Sequence, residues 1–330
     1  MAMTLADMKV GMSDKVSQQV VDIFTRESEI LQVLPFDNCV SPNGGSTLTY
    51  SYMQKKLPSM AAFRALNTEY TASQATLERK STDLKIFGGK FSMDRVLKQA
   101  EGPWNNMAYQ MREKILGAIS LFHYTLINGD ATTRTDEFDG LDKMLAGTAT
   151  EFGANTSIDI STMAKLKENA DALYEQLQIL IKKTNADALL MNSAMIAKIQ
   201  TMARILGYKT DSEEAFGRKV VSMDGKRFMD LGDHYTVSGS NVTANSCVKA
   251  GMTRTIASAS TTGLTDIYAV KFDVNEGFHA VSLTGNSGIH QYLPDFNAPG
   301  AVKDGEVEMV AATVLKNTAH AGVLRNIKIA

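Results

Sequence analysis

Histidine, cysteine and carboxylate side chains are the first candidates for chemistry, and their spacing in this chain is irregular. The histidines are scattered, and none lies two or four residues from another histidine or a cysteine. The sequence contains no Walker A motif, no GxGxxG after a strand, and no HExxH, GxSxG or EF-hand pattern. We therefore expect no catalytic residue, no metal site, no cofactor and no enzymatic activity.

Two local groupings look like sites but have simpler interpretations. Asp136, Glu137 and Asp139 form a carboxylate cluster without regular ligand spacing, which favours a solvated loop over a cation site. His123 and Tyr124 lie near the end of a predicted helix, where a hydrogen-bonded histidine on the helix face is the expected state. Neither grouping predicts chemistry.

Length and charge exclude several classes of protein. The 330 residues are enough for one large core or two modest ones. With 34 basic and 36 acidic residues, the formal net charge of −2 argues against a dedicated nucleic-acid clamp. No apolar run approaches the roughly 20 residues of a membrane span. Cys39 and Cys247 form no disulfide framework, which is typical of a reducing compartment. We expect a soluble protein that does not bind membranes.

The strongest periodic signal predicts one long helix over Pro103–Ile127. Apolar residues recur every three or four positions along one stripe, and Pro103 and Asn128-Gly129 suit the two helix ends. We expect this helix to pack on a sheet that contains Glu306–Leu315. The predicted core residues of the helix are Trp104, Met107, Met111, Ile115, Ile119 and Phe122.

A long excursion separates two polar strand candidates at 47–53 and 76–87, the second ending at Gly88-Gly89. The connection of about 22 residues far exceeds that of an ordinary hairpin. Its apolar residues have little core of their own to cover, so contact with a partner is favoured over a loop that folds back. The predicted contact residues are Lys55, Lys56, Leu57, Pro58, Met60, Phe63, Arg64, Leu66 and Asn67.

The first 34 residues form a second candidate for inter-subunit contact. Val16, Val20, Ile23 and Phe24 recur at roughly helical spacing. An ordinary first helix on its own core and an arm that lies on a neighbouring chain explain this pattern equally well.

The second half of the chain alternates helices and strands and then becomes mainly β. A helix is predicted over 161–183, a buried strand over 188–191, and a helix capped by Asn192 that ends before Gly207. The Ser- and Gly-rich stretch 238–263 reads as a surface loop. Two final strands, 306–315 and 323–329, are predicted to pair with each other.

Four segments, taken in order, resemble the major capsid proteins of tailed bacteriophages with the Hong Kong 97 fold. They are LPSMAAFRALN at 57–67, KIFGGKFSMDRVL at 85–97, LINGDATT followed by EFDGLDKML at 126–145, and ADALLMNSAMIAKIQ at 186–200. These segments are similar to the family's E-loop, the approach to its spine helix, the junction after that helix, and the strand–Asn–helix step of its axial domain. The likeness covers nearly the whole chain.

The resemblance implies an α+β capsid fold with four parts. Residues 1–34 would be the N-terminal arm and 46–94 the E-loop with its flanking strands. Residues 95–146 and 299–330 would form the peripheral domain, and 147–298 the axial domain. It also implies pentamers and hexamers of this chain that tile an icosahedral head around double-stranded DNA, contacted without sequence specificity.

Partners and location follow from the same resemblance. Few residues precede the first strand, which points to a separate scaffolding protein; the resemblance adds a portal and leaves room for a decoration protein. The location would be the virion, assembled in the host cytoplasm. No acid–Asn arrangement for a covalent crosslink to Lys55 or Lys56 is identified. An encapsulin-like shell around cargo protein is the alternative, and a soluble α/β enzyme is a remote one.

Overall fold

The computed structural model describes residues 30–40, 47–96, 106–207, 211–215, 218–223, 225–285, 289–297 and 299–330. Within these ranges no helix is long and apolar enough to cross a membrane. The helices are α1 (Ile30–Val33), α2 (Asn106–Asn128), α3 (Leu141–Leu145), α4 (Met163–Thr184) and α5 (Ser193–Leu206).

The strands of the described ranges alternate with these helices early in the chain and dominate after residue 207. Up to α5 they are β1 (Phe36–Asn38), β2 (Thr49–Leu57), β3 (Thr76–Asp83), β4 (Lys85–Asp94), β5 (Glu151–Phe152), β6 (Ile158–Asp159) and β7 (Ala188–Leu190). They continue with β8 (Asp211–Ala215), β9 (Arg218–Met223), β10 (Lys226–Met229), β11 (Asp233–Ser238), β12 (Asn241–Ser246), β13 (Met252–Ile256), β14 (Ala259–Val270), β15 (Phe278–Ser282), β16 (Ile289–Tyr292), β17 (Val302–Leu315) and β18 (Ala321–Lys328).

A sheet of five described strands carries the long helix α2. Strand β17 pairs with β15 and β16 and, along its other edge, with β4. Strand β15 also pairs with β1. Residues of β17 alternate between buried and exposed up to Val307, so one face of the strand packs on α2. Met111 and Ala118 of the helix meet Phe91 and Val307 of the sheet in one apolar cluster.

Strand β4 runs straight through the two glycines that were predicted to end it. Gly88 lies so close to β17 that a Cβ atom would sit 1.9 Å from the carbonyl oxygen of Val307. Only glycine fits there. The predicted strand 76–87 is in fact two strands, β3 and β4, separated by the buried residue Leu84.

A second sheet of nine described strands forms the other core. Its order is β5-β18-β14-β7-β10-β9-β8, with β13 beside β14 and β6 beside β18. Helices α4 and α5 bury Leu173, Leu177 and Met195 against it. Asn192 caps α5 by accepting a 2.8 Å hydrogen bond from the Met195 amide, and Gly207 ends it at φ 77°, as predicted.

Three predictions from the second half of the chain were wrong. Strands β17 and β18 do not pair, because each belongs to a different sheet. The predicted surface loop 238–263 contains β12, β13 and the start of β14; in β13, Thr253 and Thr255 alternate with larger side chains, which suits a strand despite the small residues nearby. The predicted boundary at residue 298 separates β15 and β16 from their partner β17, and it assigns β18 to the wrong sheet.

The predicted stripe of α2 is only partly its core. Phe122 is fully buried and Met111 nearly so, whereas Met107, Ile115 and Ile119 are half-buried. Trp104 lies outside the described residues. His123 is not the hydrogen-bonded surface histidine that was expected: it is fully buried, neither ring nitrogen has a hydrogen-bond partner among the described residues, and burial lowers its pKa to about 4.

A buried ionic network links α3 to the second sheet. Arg325 on β18 bonds Asp142 of α3, Glu151 of β5 and Asp266 of β14, and Asp266 also takes a bond from Arg254 at 2.6 Å. Burial opposes ionisation of Asp142, but the Arg325 charge outweighs it and lowers the pKa of this carboxyl. The network holds the segment after the long helix onto the second core.

Candidate assembly surface

Strands β2 and β3 form a long hairpin that pairs with no other strand of the described chain. Its register runs from Thr49 opposite Asp83 to Leu57 opposite Thr76, with an irregularity at Lys56. The segment 58–75 joins the two strands. We call 49–83 the long hairpin and 55–75, which includes the last residues of β2, its tip.

The tip is ordered by hydrogen bonds among its own residues. Ser73 donates to the Met60 carbonyl at 2.8 Å and accepts from the Met60 amide at 3.0 Å, which ties the two sides together. Arg64 donates to the Thr68 carbonyl at 3.2 Å and lies 5.4 Å from the Tyr70 ring centroid. The tip therefore has a defined shape although its residues are exposed with respect to the rest of the described chain.

The apolar side chains of the tip face solvent. The exposed fraction is 57% for Leu57, 73% for Met60, 87% for Leu66 and 108% for Phe63. The remaining predicted contact residues, Lys55, Lys56, Pro58, Arg64 and Asn67, are also exposed. A contiguous apolar group of this size in water is typical of a surface that another molecule covers.

The tip and its strands also carry an excess of positive charge. Every residue from Lys55 to Ser81 is exposed. The basic residues of this stretch are Lys55, Lys56, Arg64, Arg79 and Lys80, whereas Glu69 and Glu78 are its acidic ones.

A second exposed surface lies on the five-stranded sheet, on the face opposite α2. Strand β17 places Val302, Asp304, Glu306 and Glu308 on this face. Across the strand pairs, the exposed residues Ser92, Lys90, Tyr292 and His290 lie opposite Asp304, Glu306 and Glu308, and the exposed Ile86 lies opposite Val310, two residues further along β17. We call this surface the open sheet face. In the sequence, Asp304, Glu306 and Glu308 alternate with Gly305 and Val307. This alternation indicates an exposed strand face, which was not predicted from the sequence.

The base of the long hairpin is fixed to the body at one joint. The Tyr50 hydroxyl donates to Asp37 of β1 at 2.6 Å, and Gln54 donates to the Lys316 carbonyl at 2.9 Å. Beneath them, Tyr50 and Tyr52 pack on a cluster that contains Cys39, Leu84, Val281, Val310 and Val314. Local sequence patterns did not predict this joint, because it depends on partners that are distant in the sequence, such as Gln54 and Lys316.

The N-terminal contact residues Val16, Val20, Ile23 and Phe24 lie outside the described residues, so their role stays a prediction. The end of the predicted arm packs on its own chain instead. Ile30 and Leu34 are buried in the main core, together with Phe122 and Phe138.

The carboxylates near residue 136 are paired with cations of their own chain. Arg134 contacts Asp136 at 3.2 Å and Glu137 at 2.9 Å, and Lys143 contacts Asp139 at 2.9 Å. No cluster of three metal-ligating side chains occurs among the residues that the structure describes.

Comparison with known proteins identifies the fold. No protein-family model and no curated protein matches the chain. Among solved structures it is similar to the holo-SrpI encapsulin of Synechococcus elongatus PCC 7942, with 14% identity, a TM-score of 0.64, and 99% of this chain and 96% of that chain covered.

Capsid structures match over comparable lengths. For the capsid of Myoviridae phage XM1 the identity is 16% and the TM-score 0.55, with 98% and 99% of the two chains covered. For Mycobacterium phage Bobi the identity is 12% and the TM-score 0.59, with 100% of this chain and 99% of that chain covered. The chain therefore has the α+β Hong Kong 97-like capsid fold, as the sequence resemblance implied.

Proposed function

We propose that this chain is the major capsid protein of a tailed phage. It would assemble with itself into pentamers and hexamers of an icosahedral head that encloses double-stranded DNA. The observation that carries the proposal is the tip of the long hairpin, whose exposed apolar side chains and fixed shape require a cover. Neither a catalytic role nor a cofactor is part of the proposal.

A second copy of the chain offers a suitable cover in its open sheet face. That face combines the carboxylates of Glu306 and Glu308 with the exposed apolar side chains of Ile86 and Val302, whereas Asp304 is paired with Lys90 at 2.7 Å. The tip presents the complementary combination of basic and apolar groups. Opposite charges at such an interface determine which surfaces meet and in which register.

Charge reversal tests this pairing. Glu306→Lys with Glu308→Lys, or Lys55→Glu with Lys56→Glu, is expected to reduce shell yield about tenfold or more, because like charges then meet. All four changes together should restore assembly, and higher salt should weaken each effect by screening. Glu175→Lys, an exposed carboxylate on α4, is the matched control and should assemble normally. Failure of the combined variant to assemble would mean that the two surfaces do not meet.

An encapsulin-like shell is the second candidate, and one observation favours it: the encapsulin match has a TM-score of 0.64, above the 0.55 and 0.59 of the two phage structures described above. The sequence of the tip supports the phage role instead. Negative-stain microscopy of the expressed chain, with measurement of nucleic-acid content, separates the candidates. Large shells without protein cargo support a phage head, small shells around protein cargo indicate an encapsulin, and dispersed monomers contradict assembly by this chain alone.

Further partners complete the proposal for a phage head. A separate scaffolding protein and a portal would direct assembly in the host cytoplasm, and a decoration protein is an optional addition. Contact with packaged DNA would be diffuse and sensitive to salt, because a net charge of −2 leaves no overall excess of basic residues. A nanomolar, sequence-specific complex with a short duplex would contradict this part.

A further inference from the structure

His279 lies buried beneath the joint of the long hairpin. Its ring meets Tyr50 edge-on, with the ring centroids 5.9 Å apart. The side chain has no exposed surface, Nδ1 lies 3.4 Å from the Gly277 carbonyl, and Nε2 has no hydrogen-bond partner among the described residues. An imidazole in this position is stable only while it is neutral, because the charged form would lose its hydration without gaining an acceptor.

The charged and titratable groups around His279 come from every element packed at the joint. They are Asp37 of β1 and Cys39 just after it, Tyr50 and Tyr52 of β2, Asp273 of the segment before β15, and Lys316 after β17. The Lys316 ammonium lies 5.3 Å from the Tyr50 ring centroid and donates to the Val274 carbonyl at 2.7 Å. Asp37 accepts the Tyr50 hydroxyl rather than a ring nitrogen of His279. A second positive charge at His279 would therefore face Lys316 without a partner of its own.

The hairpin is connected to the body in a way that permits it to turn. Only Leu84 separates β3 from β4, and Leu48 directly precedes β2. Neither strand of the hairpin is paired with the five-stranded sheet. Opening the joint would therefore reorient the hairpin without breaking a strand of either sheet.

We propose that His279 is a proton-operated release for the long hairpin. Protonation of its imidazole drives the ring toward water, separates Tyr50 and Tyr52 from the body, and frees the hairpin to change its direction. The release is a property of the folded chain alone and holds whether or not the chain builds a shell.

The direction and size of the effect follow from linkage between protonation and opening. Burial lowers the pKa of His279 to about 4, and the Lys316 charge adds to the shift. In the open joint the pKa of the imidazole returns to about 6.5. The closed joint therefore has its full stability above about pH 6.5 and loses stability as the pH falls from there to about 4. The ratio of open to closed joints should rise roughly twentyfold from pH 7 to pH 5, and roughly a hundredfold by pH 4.

The titration of Asp37 does not contribute to the pH dependence in this range. Burial opposes its ionisation, but the hydrogen bonds from Tyr50 and from the Asn38 amide prevail, and the pKa of Asp37 lies below its ordinary value of 3.8. The carboxylate therefore stays charged while His279 titrates.

The two cysteines of the chain provide a direct test. Cys39 is buried in the joint, and Cys247 is buried in the main core. The full chain is labelled with a dipyridyl disulfide between pH 5 and pH 7, and each rate is divided by that of the denatured chain at the same pH. We expect Cys39 to be labelled much faster than Cys247 at every pH, because opening of the joint exposes Cys39 alone, and its protection to fall about twentyfold between pH 7 and pH 5. A Cys39 protection that does not change with pH, or equal protection of the two cysteines, would overturn the proposal.

Three variants separate His279 from general loosening. His279→Gln should abolish the pH dependence at Cys39. Tyr50→Phe removes the bond to Asp37 but retains His279, so labelling should rise at every pH with the same dependence. His123→Gln replaces another buried histidine with a pKa of about 4, on α2, and should leave the Cys39 profile unchanged. If His279→Gln does not fold, the other two variants still decide: a flat profile in Tyr50→Phe or in His123→Gln contradicts the proposal.

Discussion

Phe63→Asp is expected to leave the subunit folded and to abolish shell formation. The wild-type side chain is fully exposed in the single chain, so its replacement removes no contact within the subunit. In a shell, burial of the ring by a neighbour would contribute about 2–3 kcal/mol at every copy of the contact, and a buried, unpaired carboxylate would oppose it further. Electron microscopy and light scattering measure assembly, and thermal melting of the unassembled subunit measures folding.

Two controls determine whether the apolar contact is responsible. Thr71→Asp adds the same charge to the same tip without removing an apolar group, and it should assemble at a reduced but measurable level. Phe63→Leu keeps an apolar side chain and should assemble. A Phe63→Asp subunit that melts well below the wild type would show that the tip belongs to its own core. That result would remove the main support for the proposed function.

Phe122→Ala is expected to have the largest effect on the stability of the subunit, a loss of about 3–5 kcal/mol in chemical denaturation. The ring is fully buried where α2 meets three other segments. It stacks with Phe36 of β1 at 6.3 Å and Phe87 of β4 at 6.1 Å, and lies 5.8 Å from Phe138. Truncation would leave a cavity at a point that joins the start of the chain, the long helix and the five-stranded sheet.

The same helix provides the matched comparisons. Ile115→Ala should cost only about 1–2 kcal/mol, less than the stripe alone predicts, because Ile115 is half-buried. Arg112→Ala, at an exposed position, should change stability by about 0.5 kcal/mol or less. Equal losses at residues 112, 115 and 122 would contradict the packing of α2 described above.

Local signals in the sequence were sufficient wherever a few neighbouring residues decide the structure. The long helix, the Asn192 cap, the Gly207 stop and the oversized hairpin follow from periodicity, capping chemistry and loop length, which depend on contacts within about one turn or one strand pair. The order of motifs was also sufficient to indicate the capsid fold, although no single motif was.

Which strands pair with each other, by contrast, was decided only by the tertiary structure. Gly88-Gly89 looks like a strand end, but the approach of β17 to Gly88 turns it into a strand interior. Strands β17 and β18 are adjacent in the chain but belong to different sheets. The backbone N–H and C=O groups of each strand form hydrogen bonds with segments that are distant in the sequence.

The amino-acid sequence by itself determined that a long hairpin with an apolar tip extends from the rest of this protein. It also determined that the long helix carries an apolar stripe. Which part of that stripe is buried, and which groups hold the hairpin, depended on residues that meet only after folding. His279 is distant in the sequence from Tyr50 and Asp37, and neither periodicity nor local propensity carries information about such contacts. Burial, which lowers the pKa of His279, is likewise a property of the folded chain alone.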